Sequence, residues 1–255
     1  MRHNFVNDIG DYAKYAVLRT LCTAGGMPIR LGVIWYLTEH AEDNGDGRRR
    51  PHLSQEGWDA LDPELLAKMR DIENGLRGPD DLHLRLIERS TILPSTTVYF
   101  SEAIPRAAGT ARQRLDARAA WFARAKESMA DCNLVFVDPD NGLEVRSVSA
   151  SSPLASKYVT VAEIAALISG GAGVVLYQHG SRLAWETQRE RIYSTLSTGI
   201  SSSLRIRTVR FGAFGVRSFF CISVDSELTD GIQAALDTLR ERVASWDRSH
   251  YLMVE

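Results

Sequence analysis

The part of the chain that most clearly suggests chemistry is a short apolar run that ends in a polar turn. Leu134–Val137 is apolar throughout, and Asp-Pro-Asp-Asn-Gly follows at once as Asp138–Gly142. Such a run is typical of a strand that is buried on both faces of a parallel sheet, and the proline and glycine turn the backbone after it. Ligands of open α/β sheets bind at this carboxyl end of the strands. The pattern therefore predicts three residues that position or convert a substrate, with a solvated turn as the alternative: Asp138, Asp140 and Asn141.

A histidine follows a second apolar run of the same kind. Gly173–Tyr177 has the pattern of another buried strand, and Gln178-His179-Gly180 comes directly after it. The imidazole titrates near neutral pH, and the adjacent glycine lets the chain turn away from the ring, so His179 is predicted to be a general base. A structural histidine is the alternative. Arg182 is near enough in sequence to bind an anionic group of a substrate.

The same side chains also fit a metal site. Oxygen ligands suit magnesium or manganese, and two carboxylates on one turn are the usual minimum. A divalent ion there would be held by Asp138, Asp140, Glu144 and His179. The protein would then be a metal-dependent hydrolase or nuclease. The sequence has no second dense carboxylate motif, and no resident metal is therefore predicted.

The N-terminal segment carries a charged pair at helical spacing. Apolar residues recur with helical period over Asp11–Thr23, and Gly25-Gly26 ends the pattern. Asp11 and Lys14 are three residues apart and share one face of this helix. An exposed ion pair is one interpretation, and a ligand contact through Lys14 is the other. Gly10 would let a ligand approach the helix start, where free amides attract anions.

Composition restricts the class of protein. The chain has 255 residues, enough for one large α/β domain or two small ones, and 44% apolar and 24% charged residues are typical of a soluble globular protein. The alternation of helices and strands, with no long linker, predicts a single domain over 1–255. It contains no apolar run of about 20 residues that could cross a bilayer. Three widely spaced cysteines and an N-terminus without an apolar secretion segment favour a protein of the reducing cytoplasm.

Charge is nearly balanced overall and uneven locally. A net charge of −2 argues against a strong global field for nucleic acid. Arginines nevertheless cluster at Arg48–Arg50 and again at Arg205, Arg207, Arg210 and Arg217. Either cluster is a solvated surface or a local contact surface for phosphates.

Helices and strands alternate along the chain and determine where the candidate site residues lie. After the first helix, helices are predicted at Pro63–Asp71, Asp80–Arg89, Ala111–Ala130, Val161–Ile168, Trp185–Leu196 and Leu228–Trp246. Strands are predicted at Arg30–Leu37, Val98–Phe100, Leu134–Val137, Gly173–Tyr177, Leu204–Phe211 and Ser218–Val224, and Ser147–Ser156 is predicted to be a mobile flap. This alternation, closed by an antiparallel hairpin, predicts a Rossmann-like, doubly wound α/β fold with a mostly parallel sheet.

These elements resemble the class I S-adenosylmethionine-dependent methyltransferase fold. More narrowly, the chain resembles the family that methylates adenine N6 in large-subunit ribosomal RNA. Asp8–Tyr15 is similar to that family's Asn-His-Ala-Asp-x-x-Lys-His helix start, Leu134–Gly142 occupies the place of its strand ending in Asp-Pro-Pro-Tyr, and Val174–His179 matches its strand ending in Trp-Tyr-Pro. The order of elements agrees over nearly the whole chain.

The resemblance implies methyl transfer from S-adenosylmethionine to a nucleobase or related nitrogen, with nucleic acid or a nucleotide-like molecule as substrate. It implies that Asp138, Asp140, Asn141 and His179 form the catalytic set. It implies a cofactor contact for Gly10, Asp11, Lys14, His40 and Glu102.

The chain departs from the family at two places. Thr38–Gly47 replaces its glycine-rich cofactor loop, and Asp140-Asn141 replaces the Pro-Tyr whose aromatic ring stacks on the flipped base. A hydrolase or nuclease on the same scaffold, and a binding module without catalysis, are the alternative functions.

Overall fold

The structure is a computed structural model that describes residues 1–38, 49–78, 81–105 and 108–255. Within these ranges the helices are α1 (Ile9–Ala24), α2 (Pro51–Ser54), α3 (Pro63–Gly75), α4 (Arg85–Glu88), α5 (Ala111–Ser128), α6 (Val161–Ser169), α7 (Trp185–Gly199) and α8 (Ser226–Ala244). The strands are β1 (Leu31–Ile34), β2 (Val98–Phe100), β3 (Leu134–Val137), β4 (Gly142–Leu143), β5 (Tyr158–Val159), β6 (Gly173–His179), β7 (Arg205–Phe211), β8 (Arg217–Ser223) and β9 (Leu252–Val254).

A seven-stranded sheet organises the fold, in the order β2-β1-β3-β6-β8-β7-β9. The first four strands in this order are parallel, while β8 is antiparallel to both of its neighbours, and β9 is antiparallel to β7. β4 and β5 form a separate two-stranded parallel sheet. The predicted Rossmann-like α/β fold with a closing antiparallel hairpin is confirmed.

Helices cover both faces of the sheet. The apolar faces of α1, α3 and α8 pack on one side, and those of α5, α6 and α7 pack on the other. Residues 134–137 are completely buried because alternate side chains of β3 enter the two cores in turn. A strand covered on both sides has no polar face, and this explains its unbroken apolar sequence.

Aspartate side chains cap the starts of helices α1 and α3. The Asp8 side chain accepts from the Asp11 amide, so α1 begins two residues before the predicted position, and Asp62 caps α3 before Pro63 in the same way. α3 runs four residues beyond the predicted end, to Gly75. Within the described ranges, no helix combines the length and apolar character needed to cross a membrane.

Two predicted elements differ in the structure. The helix predicted over Asp80–Arg89 is limited to α4, and its residue 80 lies outside the described residues. The amides of Leu84 and Arg85 donate to the Nδ1 atoms of His3 and His83, so these side chains compete with helical hydrogen bonds.

The Ser-rich segment predicted to be a mobile flap contains a 3₁₀ turn and is held by helix α5. Arg114 Nε donates to the Ser151 carbonyl at 2.6 Å, and Arg118 Nη1 donates to the Ala155 carbonyl at 2.6 Å.

Candidate functional site at the carboxyl edge of the sheet

Strand register brings the predicted residues to one edge of the sheet. Ile34 of β1, Val137 of β3 and Leu176 of β6 lie side by side in adjacent parallel strands. The residues that follow each strand therefore meet at the carboxyl edge, and the Asp138 amide donates to the Ile34 carbonyl at 3.0 Å. This is the edge at which open α/β sheets bind ligands.

A buried ion cluster joins helix α1 to the end of β3. Lys14 Nζ lies 2.8 Å from Asp11 Oδ1 and 2.7 Å from Asp138 Oδ2. Asp11, Lys14 and Asp138 are only 2–3% exposed. Asp11 and Lys14 are therefore not an exposed surface pair, and that interpretation is wrong. The sequence predicted Asp138 and the Asp11–Lys14 pair separately, and the structure brings all three into contact.

Aromatic rings surround the Lys14 ammonium. Its Nζ lies 5.6–5.9 Å from the ring centroids of Tyr15, Trp35, Phe136 and Tyr177. Burial alone would lower the pKa of Lys14, but the carboxylates of Asp11 and Asp138 outweigh burial, and its pKa lies above the ordinary value. Lys14 is therefore a permanent cation in this cluster.

The two carboxylates of the cluster differ in whether an oxygen remains free to accept a hydrogen bond. Asp11 Oδ2 accepts from the Asn7 amide at 3.0 Å and from the Tyr15 hydroxyl at 3.3 Å, so both Asp11 oxygens are occupied. Asp138 gives Oδ2 to Lys14, whereas its Oδ1 accepts no hydrogen bond from the described residues. Burial raises the pKa of Asp138, and Lys14 opposes that rise. Asp138 is thus the carboxylate of the cluster with a free acceptor.

Asp140 is engaged in a second ion cluster. The Met1 ammonium lies 2.8 Å from Asp140 Oδ1, and Arg2 Nε lies 3.2 Å from Oδ2. Burial alone would raise the pKa of Asp140, but these two cations hold it below the ordinary value. The Met1 ammonium also donates to the carbonyls of Tyr36 and Asp138, at 3.2 and 3.1 Å. The predicted catalytic carboxylate is therefore neutralised by the N-terminal residues.

A buried glutamine fixes the polar turn. Gln178 Oε1 accepts from the Leu143 amide at 2.9 Å, and its Nε2 donates to the Asn141 and His179 carbonyls at 2.9 and 3.0 Å. Gly142 has φ = +110°, and a Cβ there would overlap the Gln178 carboxamide. The Asn141 carboxamide itself makes no hydrogen bond within the described residues. The turn is thus rigid where Asp138 leaves the strand.

Replacing Gly142 by alanine should lower the free energy of unfolding by about 2–4 kcal/mol, because backbone strain and the loss of the Gln178 hydrogen bonds add together. Urea unfolding measures this cost. Gly171→Ala is the matched control, because Gly171 also has positive φ but nothing lies near its Cβ. Equal costs at the two positions would show that backbone strain alone accounts for the effect.

His179 ends β6 and is exposed, with its Nδ1 atom 3.4 Å from the Tyr177 hydroxyl. Its amide donates to the Asn141 carbonyl at 3.2 Å, which ties the end of β6 to the turn after β3. The end of β6 that carries His179 is therefore adjacent to the turn.

Gly10 makes room for an arginine of strand β8. A Cβ at Gly10 would overlap the Arg217 side chain, whose Nη2 lies 3.7 Å from Asp8 Oδ2. The absence of a side chain at Gly10 thus makes room for Arg217, and a ligand contact at Gly10 stays a prediction. Burial, followed by repulsion from Asp11, raises the pKa of Asp8 to about 6.

The raised pKa of Asp8 gives a stability prediction. Between about pH 4 and 6 the folded protein keeps a proton that the unfolded chain has released, so the free energy of unfolding falls as pH rises through this window. Asp8→Asn keeps an oxygen to cap α1 but carries no charge. It should remove this pH dependence and raise the free energy of unfolding at pH 7.5 by about 1–3 kcal/mol. Urea unfolding at pH 5, 6 and 7.5 measures both effects, and an unchanged slope would contradict this origin.

Glu102 does not belong to the ion cluster. Glu102 follows β2 at the same edge, and its exposed carboxylate is bonded by Arg124, with Arg124 Nε 2.9 Å from Oε2. Arg124 lowers the pKa of Glu102. His40 lies outside the described residues, as does most of the segment predicted to replace the cofactor loop.

The residues of the metal alternative are not gathered into one site. Within residues 1–38, 49–78, 81–105 and 108–255, no group of three or more His, Cys, Asp or Glu side chains is placed to hold an ion. Glu144 accepts from the Val161 amide at 2.8 Å instead. The described residues therefore give no support to a metal bound by Asp138, Asp140, Glu144 and His179.

The sequence analysis did not assign several contributing side chains to this site. Gln178 and Arg217 come from β6 and β8, Arg2 from the N-terminal segment, and Trp35 from the residues after β1. Gln178 had a signal, because a carboxamide in an otherwise apolar strand must find partners when it is buried. The other three become neighbours only through sheet order and helix placement.

Comparisons with known proteins add little to this description. No family model and no curated protein matches the chain. Among solved structures, the chain is similar to protein LPL1258 from Legionella pneumophila str. Philadelphia 1, which is described with the family model DUF519. The identity is 11%, the match covers 98% of this chain and 97% of that chain, and the TM-score is 0.47. A similarity at this level carries no argument about function.

Proposed function

We propose that this protein transfers a methyl group from S-adenosylmethionine to a nitrogen of a nucleobase or a related heterocycle. The observation that carries the proposal is the state of Asp138. It is a buried carboxylate at the carboxyl end of a central strand, with one oxygen held by Lys14 and the other without a partner among the described residues. Such an oxygen can accept a hydrogen bond from an amino group and orient its nitrogen for attack.

Lys14 and Asp11 act on the substrate through Asp138. Lys14 already donates to two carboxylates, so in the proposal it holds Asp138 ionised and oriented rather than binding a cofactor carboxylate directly. Asp11 is the second carboxylate that bonds Lys14, and its other oxygen accepts from the Asn7 amide just before α1. This arrangement preorganises the acceptor carboxylate before substrate arrives.

The edge of the sheet offers groups that fit parts of the cofactor. Glu102 is an exposed carboxylate after β2, and Arg124 uses two of its roughly four lone-pair sites, so hydroxyl groups such as those of a ribose can bind the others. The ring of Tyr177, within β6, can border its cationic sulfonium. When bound, S-adenosylmethionine supplies an electrophilic methyl group. The β6-β8-β7 order, with β8 antiparallel, also supports the resemblance to the methyltransferase fold.

His179 is proposed to take up the proton that the acceptor nitrogen loses. His179→Gln keeps hydrogen bonding but cannot bind a proton in this range, so turnover should fall by about 10²-fold with substrate affinity little changed. The rate of the natural protein should decline on acidification as the imidazole becomes protonated, and the variant should lack this decline. Steady-state rates from pH 5 to 9 measure both. An identical rate and pH profile would make His179 structural.

Calorimetry tests the proposal against its alternatives. The natural protein is titrated separately with S-adenosylmethionine, with S-adenosylhomocysteine and with magnesium, and tritiated methyl transfer is measured on unmodified large-subunit ribosomal RNA and on free adenine nucleotides. Binding of the methionine cofactor together with methyl transfer supports the proposal. Magnesium binding alone would favour the hydrolase or nuclease, and binding of neither would favour a module without catalysis.

A further inference from the structure

The tip of the β7–β8 hairpin carries an aromatic side chain at the carboxyl edge of the sheet. β7 pairs with β8 up to Phe211 and Arg217, and Arg217 also pairs with His179 at the end of β6. The Gly180 amide donates to the Val216 carbonyl at 2.7 Å, which joins the turn to the end of β6. Phe214 lies in this turn and is 44% exposed.

The backbone of Phe214 is in an unfavourable conformation. Its φ is +55°, in the left-handed region that bulky residues rarely adopt and that glycine occupies readily. A turn that only connected two strands would be more stable with glycine there. Strained residues of this kind persist where the surrounding structure holds them, and they are concentrated at sites that contact ligands.

Two arginines hold this strained turn. Arg217 Nη1 donates to the carbonyls of Ala213 and Gly215, at 3.3 and 3.2 Å, and Arg49 Nη1 donates to the Phe214 carbonyl at 3.5 Å. Three consecutive carbonyls are therefore bound by guanidinium groups. The phenyl ring is presented from a fixed backbone, so little conformational entropy is lost when a partner stacks on it.

Basic, exposed side chains lie at the turn and at the end of the adjacent strand. Arg49 contacts the turn directly, and His179 and Arg182 lie at and just beyond the end of the adjacent strand β6. An exposed aromatic ring beside guanidinium groups is the combination that binds single-stranded nucleic acid, because the ring stacks on a base and the cations contact phosphates. An apolar peptide would leave the positive charges without a counterpart.

We propose that Phe214 stacks on an unpaired base of a single-stranded nucleic acid while Arg49 contacts its phosphates. The strand is thereby guided along the carboxyl edge towards Asp138. Only the assignment of that strand as methyl acceptor rests on the proposed function, because stacking and phosphate contact require no cofactor.

Binding of a fluorescein-labelled single-stranded RNA of about 12 nucleotides tests this, with a duplex of the same sequence for comparison. Phe214→Gly should weaken single-strand binding by about 5- to 150-fold, and Phe214→Tyr should stay within a few-fold of the natural protein. Glycine accepts the observed φ, so the urea midpoint of the variant should not fall. Met253→Ala is the control, because Met253 is 47% exposed but lies in edge strand β9.

Arg49→Ala should also weaken binding and reduce the dependence of log affinity on log salt concentration by about 0.7. The proposal is overturned if the natural protein does not bind the single strand, if it prefers the duplex, or if Phe214→Gly binds as well as Met253→Ala. Calorimetric binding of S-adenosylhomocysteine, the product formed from the cofactor S-adenosylmethionine, separates this proposal from the proposed methyltransferase function. Cofactor binding without Phe214-dependent RNA binding refutes this inference alone, and the reverse result refutes the methyltransferase alone.

Discussion

Replacing Lys14 by methionine should lower the free energy of unfolding by about 3–5 kcal/mol, the usual cost of removing one partner from a buried ion pair. The lysine is 3% exposed and bonds two buried carboxylates, so its loss leaves Asp11 and Asp138 without their shared cation. Methionine fits among the surrounding aromatic rings, where sulfur contacts are favourable. The loss of charge, rather than of packing, then dominates the measured effect.

The matched control is Lys68→Met. Lys68 pairs with Glu64, but the two side chains are 24% and 63% exposed, and such pairs contribute about 0–1 kcal/mol. Urea unfolding of both variants at pH 7 and pH 5 gives the comparison. In Lys14→Met the unpaired carboxylates take up protons in the folded state, so the destabilisation should shrink on acidification. Equal costs for the two variants would contradict a buried, energetically important cluster.

The parallel core of the fold was predictable because the apolar composition of its strands reflects their burial on both faces. Leu134–Val137 is apolar throughout because helices cover both faces of β3, and such an unbroken apolar run is easily recognised. Helix starts were readable where a capping residue precedes proline, as at Asp62 and Pro63. Strand β9 was missed because it has only three residues and is defined by its pairing with β7 rather than by a local sequence pattern.

The candidate site was predictable in its parts and not in its connections. The polar turn at Asp138 and the Asp11–Lys14 spacing are local patterns. Their contact joins residues 124 positions apart and depends on how α1 packs across the end of β3. Sequence spacing places Asp11 and Lys14 on one face but does not say whether that face is buried, so the exposed pair and the buried cluster looked alike.

The charge on Asp140 shows the same limit more sharply. Two carboxylates on one turn looked equivalent in the sequence, yet one bonds a buried lysine and the other bonds the Met1 ammonium and Arg2. Burial raises the pKa of Asp138 despite its lysine partner, whereas the Met1 ammonium and Arg2 hold the pKa of Asp140 below the ordinary value. Environment rather than residue type separates their roles.

Replacing Asp138 by asparagine should reduce methyl transfer by about 10²–10³-fold, the usual effect of removing one preorganised electrostatic contact from a reacting group. Asparagine has nearly the same shape but carries no negative charge to attract the amino hydrogen of the acceptor. Because Asp138 is also buried and bonds Lys14, we expect the variant to lose about 1–3 kcal/mol of stability.

Asp11→Asn is the control that separates catalysis from stability. Asp11 bonds the same lysine at 2.8 Å and is equally buried, so the two variants should lose similar stability. Each of its oxygens, however, already accepts a hydrogen bond, from Lys14 or from the Asn7 amide and Tyr15, whereas Asp138 Oδ1 accepts none from the described residues. Rates of tritiated methyl transfer and urea midpoints, measured on both variants, give the comparison. If Asp11→Asn loses as much turnover as Asp138→Asn, the free oxygen of Asp138 has no direct part in the reaction, and the cluster serves the fold alone.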